Sequence, residues 1–197
     1  GLTPQQIEAF ETDGFLVGID AADAEQVRRT QDAFRAFENR VGHEKVQTGL
    51  GNLHFEEPFA WELVTNPKVL DCVGSLVGPD ILLMRTRTFC KYGPSNDFVA
   101  WHQDVIYWGL EPPFAINAWI AIDDCDAENG CVRFIPGSHQ WGIREHGEAS
   151  QASNLLSQNQ QVTFSAEEER RAVDNELRAG QISIHHGLVA HGSRPNH

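Results

Sequence analysis

The stretch WHQDVIYWGL, residues 101–110, sets a histidine and an aspartate two positions apart inside a largely apolar, strand-prone run. In an extended strand alternate side chains share a face, so His102 and Asp104 point one way and Gln103 the other. A carboxylate withdrawn from water is costly unless it is compensated, and a neutral imidazole compensates it poorly. Two arrangements meet that requirement. Either the pair sits at a rim, with Asp104 in water and His102 against Trp101, or both residues bind a metal ion completed by a distant third ligand. Two imidazoles and one carboxylate on one face of iron leave coordination positions open for reactants.

Nine histidines are present, and most have no claim on the third position. His43, His54 and His146 lie in polar, loop-like or helix-edge contexts and are expected to be exposed; His139 follows Pro-Gly-Ser, where a turn role is expected. The segment GQISIHHGLVAHGSRPN, residues 180–196, places three histidines in or beside two apolar runs near the end of the chain. A lone histidine far downstream of His-x-Asp, here His191, is how two neighbouring strands of a jelly roll can complete such a triad.

The elements that must carry these residues are legible in outline. Thr3-Pro4-Gln5-Gln6 is a capping box with proline at the first helical position, and Gly14 is placed to end that helix. Phe15 to Val17 reads as a short strand. A second helix is expected over about 21–39, and a third over 59–77, interrupted near Pro67. After Gly78-Pro79 the period changes to that of strands, expected over 81–92, 99–104, 114–122, 131–135, 161–164, 181–185 and 188–192. Ser165 and Glu168 form a second capping box. Helices first and short strands afterwards indicate a mainly β fold, a double-stranded β-helix or jelly roll with helices packed outside. The reading is one domain over residues 1–197, with a helical part over about 1–78 and the β core over about 79–197.

Composition narrows the partners. There are 28 acidic and 15 basic residues, a formal net charge of -13, which disfavours nucleic-acid and anionic membrane surfaces because both need clustered Lys and Arg. The four cysteines form no CxxC, and neither a signal peptide nor a membrane-length apolar run is evident. A soluble protein of a reducing compartment, the cytoplasm, is expected. In ILLMRTRTFCKY the odd positions Arg85, Arg87 and Lys91 share a strand face. That alternation fits an anion site or a solvated outer face.

WHQD, then NAWIAIDDCDAENGCVRFIPGSH (residues 117–139), then HHGLVAHGSRPN, three blocks in order along nearly the whole chain, resemble the phytanoyl-CoA dioxygenase family of iron(II)- and 2-oxoglutarate-dependent oxygenases. The resemblance implies that His102, Asp104 and His191 hold iron(II). It implies that 2-oxoglutarate meets Arg87, Gln103, Trp119 and Ser193, with Lys45 a looser match to a further contact, and that His186 lies behind the site. His185, on the opposite strand face from His186, receives no role. The family's principal carboxylate-binding arginine lies further beyond the distal histidine than this sequence reaches, and Arg194 is too near His191 to replace it. The β core is therefore expected to lack a C-terminal strand.

The implied reaction spends O2 and 2-oxoglutarate, releases succinate and CO2, and hydroxylates an unactivated C–H bond of a small molecule. Asp104 disfavours halogenation, which in related enzymes needs a small residue there. Desaturation, epimerisation or ring closure at the same iron, and a jelly-roll protein that binds metal without turnover, are the alternatives. The substrate mouth is expected among residues 105–114, with Tyr107 and Trp108, the loop from His43 to Phe55, and residues 146–160. No basic patch for the phosphates of coenzyme A is evident, which points to a metabolite or natural-product intermediate.

Overall fold

The computed structural model describes residues 1–197 other than 48, 150–152 and 158, and at Tyr107 the backbone only. Three of its N-terminal helices begin where hydrogen-bonding caps stand, at Thr3, Asp23 and Asn66. Helix α1, Pro4–Asp13, starts on the capping box: Gln6 N donates to Thr3 Oγ1 and Thr3 N to Gln6 Oε1. It ends at Gly14, whose φ of 85° is left-handed. A Cβ there would lie 2.4 Å from His139 Nδ1, so both backbone and packing require glycine. Helix α2, Ala24–Val41, is capped by Asp23. Helix α3 spans His43–Gln47, in a region expected to be loop. The expected third helix is two, α4 (Pro58–Val64) and α5 (Pro67–Val77), because Asn66 and Pro67 restart the chain with a new cap. Helix α6, Ala166–Arg170, uses the Ser165–Glu168 capping box.

Among the described residues there are nine strands, in chain order β1 Phe15–Asp20, β2 Val99–His102, β3 Ile116–Ile120, β4 Val132–Phe134, β5 Gly147–Glu148, β6 Gln160–Gln161, β7 Val173–Asp174, β8 Gln181–His186 and β9 His191–Ser193. They form sheets β1-β8-β3 and β2-β9-β4-β7 and the small pair β5-β6, with every strand pairing antiparallel.

Strand β8 lies between two packing layers. Ile182 and Ile184 face the helices, in a buried cluster with Phe10, Ile19, Val69 and Cys72. Ser183 and His185 face the second sheet, where Ser183 Oγ accepts from Asn175 Nδ2 at 2.9 Å. Phe134 of β4 closes the gap between sheets: it is fully buried, its ring centroid 4.7 Å from Phe15 and 5.0 Å from His185. Burial of such a side chain contributes about 1.5–3 kcal/mol. A separate cluster of Phe34, Phe37 and Phe59 joins α2 to α4.

The segment 81–92 is not the strand its composition suggests. Among the described residues its ladder-like contacts are with residues 50–52: the Gly51–Arg87 bridge, Thr88 N to Leu50 O at 3.0 Å and Asn52 N to Thr86 O at 2.8 Å. Alternating β-prone residues become a strand only beside a regular partner, and Leu82 stays 89% exposed. Among the described residues no helix is long and apolar enough to cross a membrane.

Candidate metal centre

Strand β2 delivers His102 and then ends; Asp104 is in helical geometry at φ -71°, ψ -47°. The shared side of the pair is therefore set by a turn, pinned by Asp104 N and Val105 N donating to Gly187 O at 3.0 and 3.3 Å, rather than by strand alternation. Across the ladder His102 pairs with His191 of β9, and the two ring centroids are 4.1 Å apart. One ligand atom from each of His102, Asp104 and His191 falls within 4.8 Å of the others.

The protonation of the two imidazoles follows from their other partners. His102 Nδ1 is 2.9 Å from Ala100 O and His191 Nδ1 is 3.0 Å from Val189 O, each the carbonyl two residues earlier. A carbonyl can only accept, so both Nδ1 atoms carry the proton, and in that neutral tautomer each Nε2 presents a bare lone pair. Those lone pairs face a carboxylate: His102 Nε2 lies 3.3 Å from Asp104 Oδ1, and His191 Nε2 lies 3.5 Å from Oδ2. Burial, reinforced by His102, depresses the His191 pKa to about 3, so a proton does not relieve the contact near neutral pH. Acceptors aimed at acceptors are stabilised by a cation between them. Donors about 2.1 Å from one first-row ion and at right angles around it are roughly 3 Å apart, close to the separations here. The site fits a metal ion.

Asp104 has two further neighbours. Asn117 Nδ2 donates to Oδ2 at 2.9 Å, and His185 Nε2 lies 3.6 Å from the same oxygen. Sequence reasoning gave His185 no role, yet it is 4% exposed and borders the triad. The missed signal is the alternation Ser183, His185 within an apolar strand: the apolar face of β8 belongs to the helices and the polar face to the sheet interior. His186, on the other face, packs against Phe114 and His139 and accepts from Leu188 N through Nδ1 at 3.0 Å.

The residues assigned to the cosubstrate divide into groups. The Arg87 guanidinium lies 4.9 Å over Phe89, whose ring is 5.9 Å from Trp119, so Arg87 and Trp119 belong to one wall. Burial lowers the Arg87 pKa, as does Arg85, while Asp104 raises it. Ser193 lies on β9 two residues after His191, and its Oγ accepts from Lys91 Nζ at 2.6 Å. Gln103 is 1% exposed. Its amide donates to Gly142 O and Leu188 O at 2.9 and 2.8 Å, and its oxygen accepts from Arg144 N at 2.8 Å. A cosubstrate contact at Gln103 would have to break these bonds. Lys45 is exposed.

Two histidines expected in solvent are not there. His54 is buried and bonded to Thr86 Oγ1. His146 is half-buried: its Nδ1–H donates to Arg144 O and its Nε2 accepts from Gln103 N. Both were masked by polar sequence neighbours, because their hydrogen-bond partners come from other segments or from the backbone. Of the expected mouth residues Trp108 is half-buried, and the side chain of Tyr107 lies outside the described residues.

Two packed antiparallel sheets bring two imidazoles and a carboxylate to one point, the donor set of a two-histidine, one-carboxylate metal site on a jelly-roll fold. The chain belongs to the phytanoyl-CoA dioxygenase (PhyH) family, whose pattern it matches over residues 10–197. It is 29% identical over 165 residues to phytanoyl-CoA dioxygenase domain-containing protein 1 of Mus musculus, covering 81% of this chain and 52% of that protein. It is 26% identical over 167 residues to the probable alpha-ketoglutarate-dependent hypophosphite dioxygenase of Stutzerimonas stutzeri, covering 82% and 56%. The chain thus spans about half the length of these relatives. Among solved structures it resembles the non-heme monooxygenase ThoJ in its apo form, with a TM-score of 0.79 and 32% identity over 96% of this chain and 71% of that one. EctD from S. alaskensis, solved with 2-oxoglutarate and 5-hydroxyectoine, shares the fold, with a TM-score of 0.77 and 19% identity, over 99% of this chain and 71% of that one.

Proposed function

We propose that this chain is the catalytic domain of an iron(II)- and 2-oxoglutarate-dependent dioxygenase that hydroxylates an unactivated C–H bond of a small-molecule metabolite or natural-product intermediate, releasing succinate and CO2. The observation that carries the reading is the pair of imidazoles locked by Val189 O and Ala100 O with bare Nε2 atoms facing the Asp104 carboxylate. A hydrogen-bonded triad would show a donor at one of those contacts; a metal site needs none.

His102, Asp104 and His191 are the residues that would hold the iron. Bound there, iron(II) supplies the redox chemistry that couples breakdown of 2-oxoglutarate and O2 to oxidation of the substrate. The protein's part is orientation. Carbonyl bonds fix each imidazole in one tautomer and rotation, and Asp104 contributes the negative charge that favours a divalent ion. Arg87, half-buried beside Phe89 and Trp119, offers a planar cation with little hydration to a carboxylate of the cosubstrate, and Ser193 offers a hydroxyl from the ligand strand. Trp108 and the exposed Phe114 supply an apolar margin that would exclude water from the reacting C–H. Small-molecule relatives such as ectoine dioxygenase support the substrate class. The free state of all four cysteines supports a reducing compartment, the cytoplasm.

The test is anaerobic addition of iron(II) and 2-oxoglutarate to the purified protein. A visible charge-transfer band that disappears in His191→Ala, with succinate formed once O2 is admitted, is the expected result. No band, and no difference in His191→Ala, would remove the oxygenase reading. Product mass then separates gain of one oxygen from loss of two hydrogens.

A further inference from the structure

His185 and Asn117 are direct cross-strand partners in the β3–β8 ladder, and both side chains reach the same atom. Asn117 Nδ2 donates to Asp104 Oδ2 at 2.9 Å, and His185 Nε2 stands 3.6 Å from it. We propose that these two residues form a clamp on Asp104 Oδ2, the oxygen that also lies 3.5 Å from His191 Nε2, and draw it off the metal so that the carboxylate binds through Oδ1 alone, with His185 a positioning residue rather than a fourth ligand. The proposal rests on the metal-centre reading above and adds two residues to it.

The imidazoles themselves separate the roles. His102 and His191 each donate Nδ1–H to the carbonyl two residues upstream, which fixes their Nε2 lone pairs on the metal position. His185 has no such anchor: among the described residues neither ring nitrogen has a hydrogen-bond partner within 3.5 Å, although the side chain is buried. With Nδ1 unpartnered, its neutral tautomer is free to place the proton on Nε2, where Asp104 Oδ2 is the acceptor within reach. A ligand must expose that same atom bare. Nor does His185 belong to the set of ligand atoms that converge within 4.8 Å.

Packing keeps His185 in this role. Its ring is 5.0 Å from that of fully buried Phe134 and 4.9 Å from that of His191, and Phe15 lies opposite it on β1. An imidazole wedged between an aromatic ring and a metal ligand cannot swing toward the ion without displacing one of them. Clamping Oδ2 prevents two-oxygen coordination by Asp104 and so preserves an open position on the metal. Such partners of ligands typically alter metal affinity by about 10–100-fold when removed.

The test uses metal binding without turnover. Copper(II) is added to the whole chain and the coordinated imidazoles are counted by pulsed electron paramagnetic resonance; nickel(II) affinity is measured by calorimetry. We expect two imidazoles in the wild type and in His185→Phe, with nickel(II) bound about 10–100-fold more weakly by His185→Phe and by Asn117→Ala. His185→Gln, whose amide can donate to the same oxygen, should recover most of the affinity. Thermal midpoints of the metal-free variants show whether each is folded, and the rescue by His185→Gln is a readout that a purely structural role would not move. Three imidazoles in the wild type falling to two in His185→Phe would overturn the clamp in favour of a fourth ligand. Affinities of both clamp variants within twofold of wild type overturn it while leaving the triad intact, provided Asp104→Ala abolishes binding. Wild-type binding that is indifferent to Asp104→Ala removes the metal centre and the clamp together.

Discussion

Replacement of Asp104 by asparagine should have opposite effects with and without metal. In the metal-free protein Asp104 Oδ1 faces the bare His102 Nε2 at 3.3 Å, while Oδ2 accepts from Asn117 at 2.9 Å. Asp104→Asn can keep the oxygen on the Asn117 side and present its NH2 to His102 Nε2, turning an acceptor–acceptor contact into a hydrogen bond. Relief of a buried unsatisfied polar group is about 1–3 kcal/mol. At about 2–4 °C per kcal/mol for a chain of this size, the metal-free midpoint should rise by roughly 2–12 °C. With metal at about 100 times its dissociation constant the wild type gains roughly 2.7 kcal/mol, some 5–11 °C. Asp104→Asn, lacking the anionic ligand, should gain little. The two proteins should therefore exchange rank between chelator and nickel(II) in paired thermal melts, nickel being chosen because it does not oxidise during the scan. If the variant is destabilised equally in both conditions, or keeps the whole nickel shift, the facing lone pairs are not what the metal relieves.

Three further outcomes are expected. Arg87→Met should raise the KM for 2-oxoglutarate about 10–100-fold, the loss of a charge-assisted hydrogen bond of about 1.5–3 kcal/mol, with kcat less affected; an unchanged KM in a succinate-release assay would release Arg87 from that role. Phe134→Ala should cost about 3–5 kcal/mol in urea unfolding, because its cavity would open between Phe15, His185 and His191, and it should weaken nickel binding as well; a loss under 1 kcal/mol would mean the two sheets close without it. The third concerns pH. Burial first, then His139 and His185, depress the His186 pKa from 6.5 to about 4. The unfolded chain then binds a proton near pH 6.5 that the folded chain refuses until about pH 4, so stability present above 6.5 is lost as pH falls across that window, by about 3 kcal/mol at most. Urea midpoints in chelator should fall from pH 6.5 to 4, and fall less in His186→Phe; parallel profiles would remove His186 as the cause.

Much of the local structure was legible because its causes are local. The capping boxes at Thr3 and Ser165, the stop at Gly14 and the restart at Pro67 each depend on residues within four positions of one another, and each is found. The triad was legible for another reason: His-x-Asp and a distant histidine are residue types whose burial demands a shared partner. What could not be read required knowing which segment lies opposite. Segment 81–92 has strand composition, but among the described residues its ladder-like backbone contacts are with residues 50–52, too few for a regular ladder. His54 and His146 look solvent-exposed until Thr86 and Gln103 arrive as partners.

By itself, then, the sequence determined the capped helices, the passage from helices to short strands, and three candidate metal donors, since helix caps, period and donor type are properties of the residues themselves and their near neighbours. Only the tertiary structure decided which face of β8 is the interior. Helices α1 and α5 claim Ile182 and Ile184, which turns Ser183 and His185 toward the second sheet. It also decided that Asp104 is delivered by a turn bonded to Gly187, and that Asn117 bonds its Oδ2 with His185 Nε2 3.6 Å from the same atom. Side chains from strands distant in sequence acquire a common neighbour only when two sheets pack, and that packing energy is not written in any one of them.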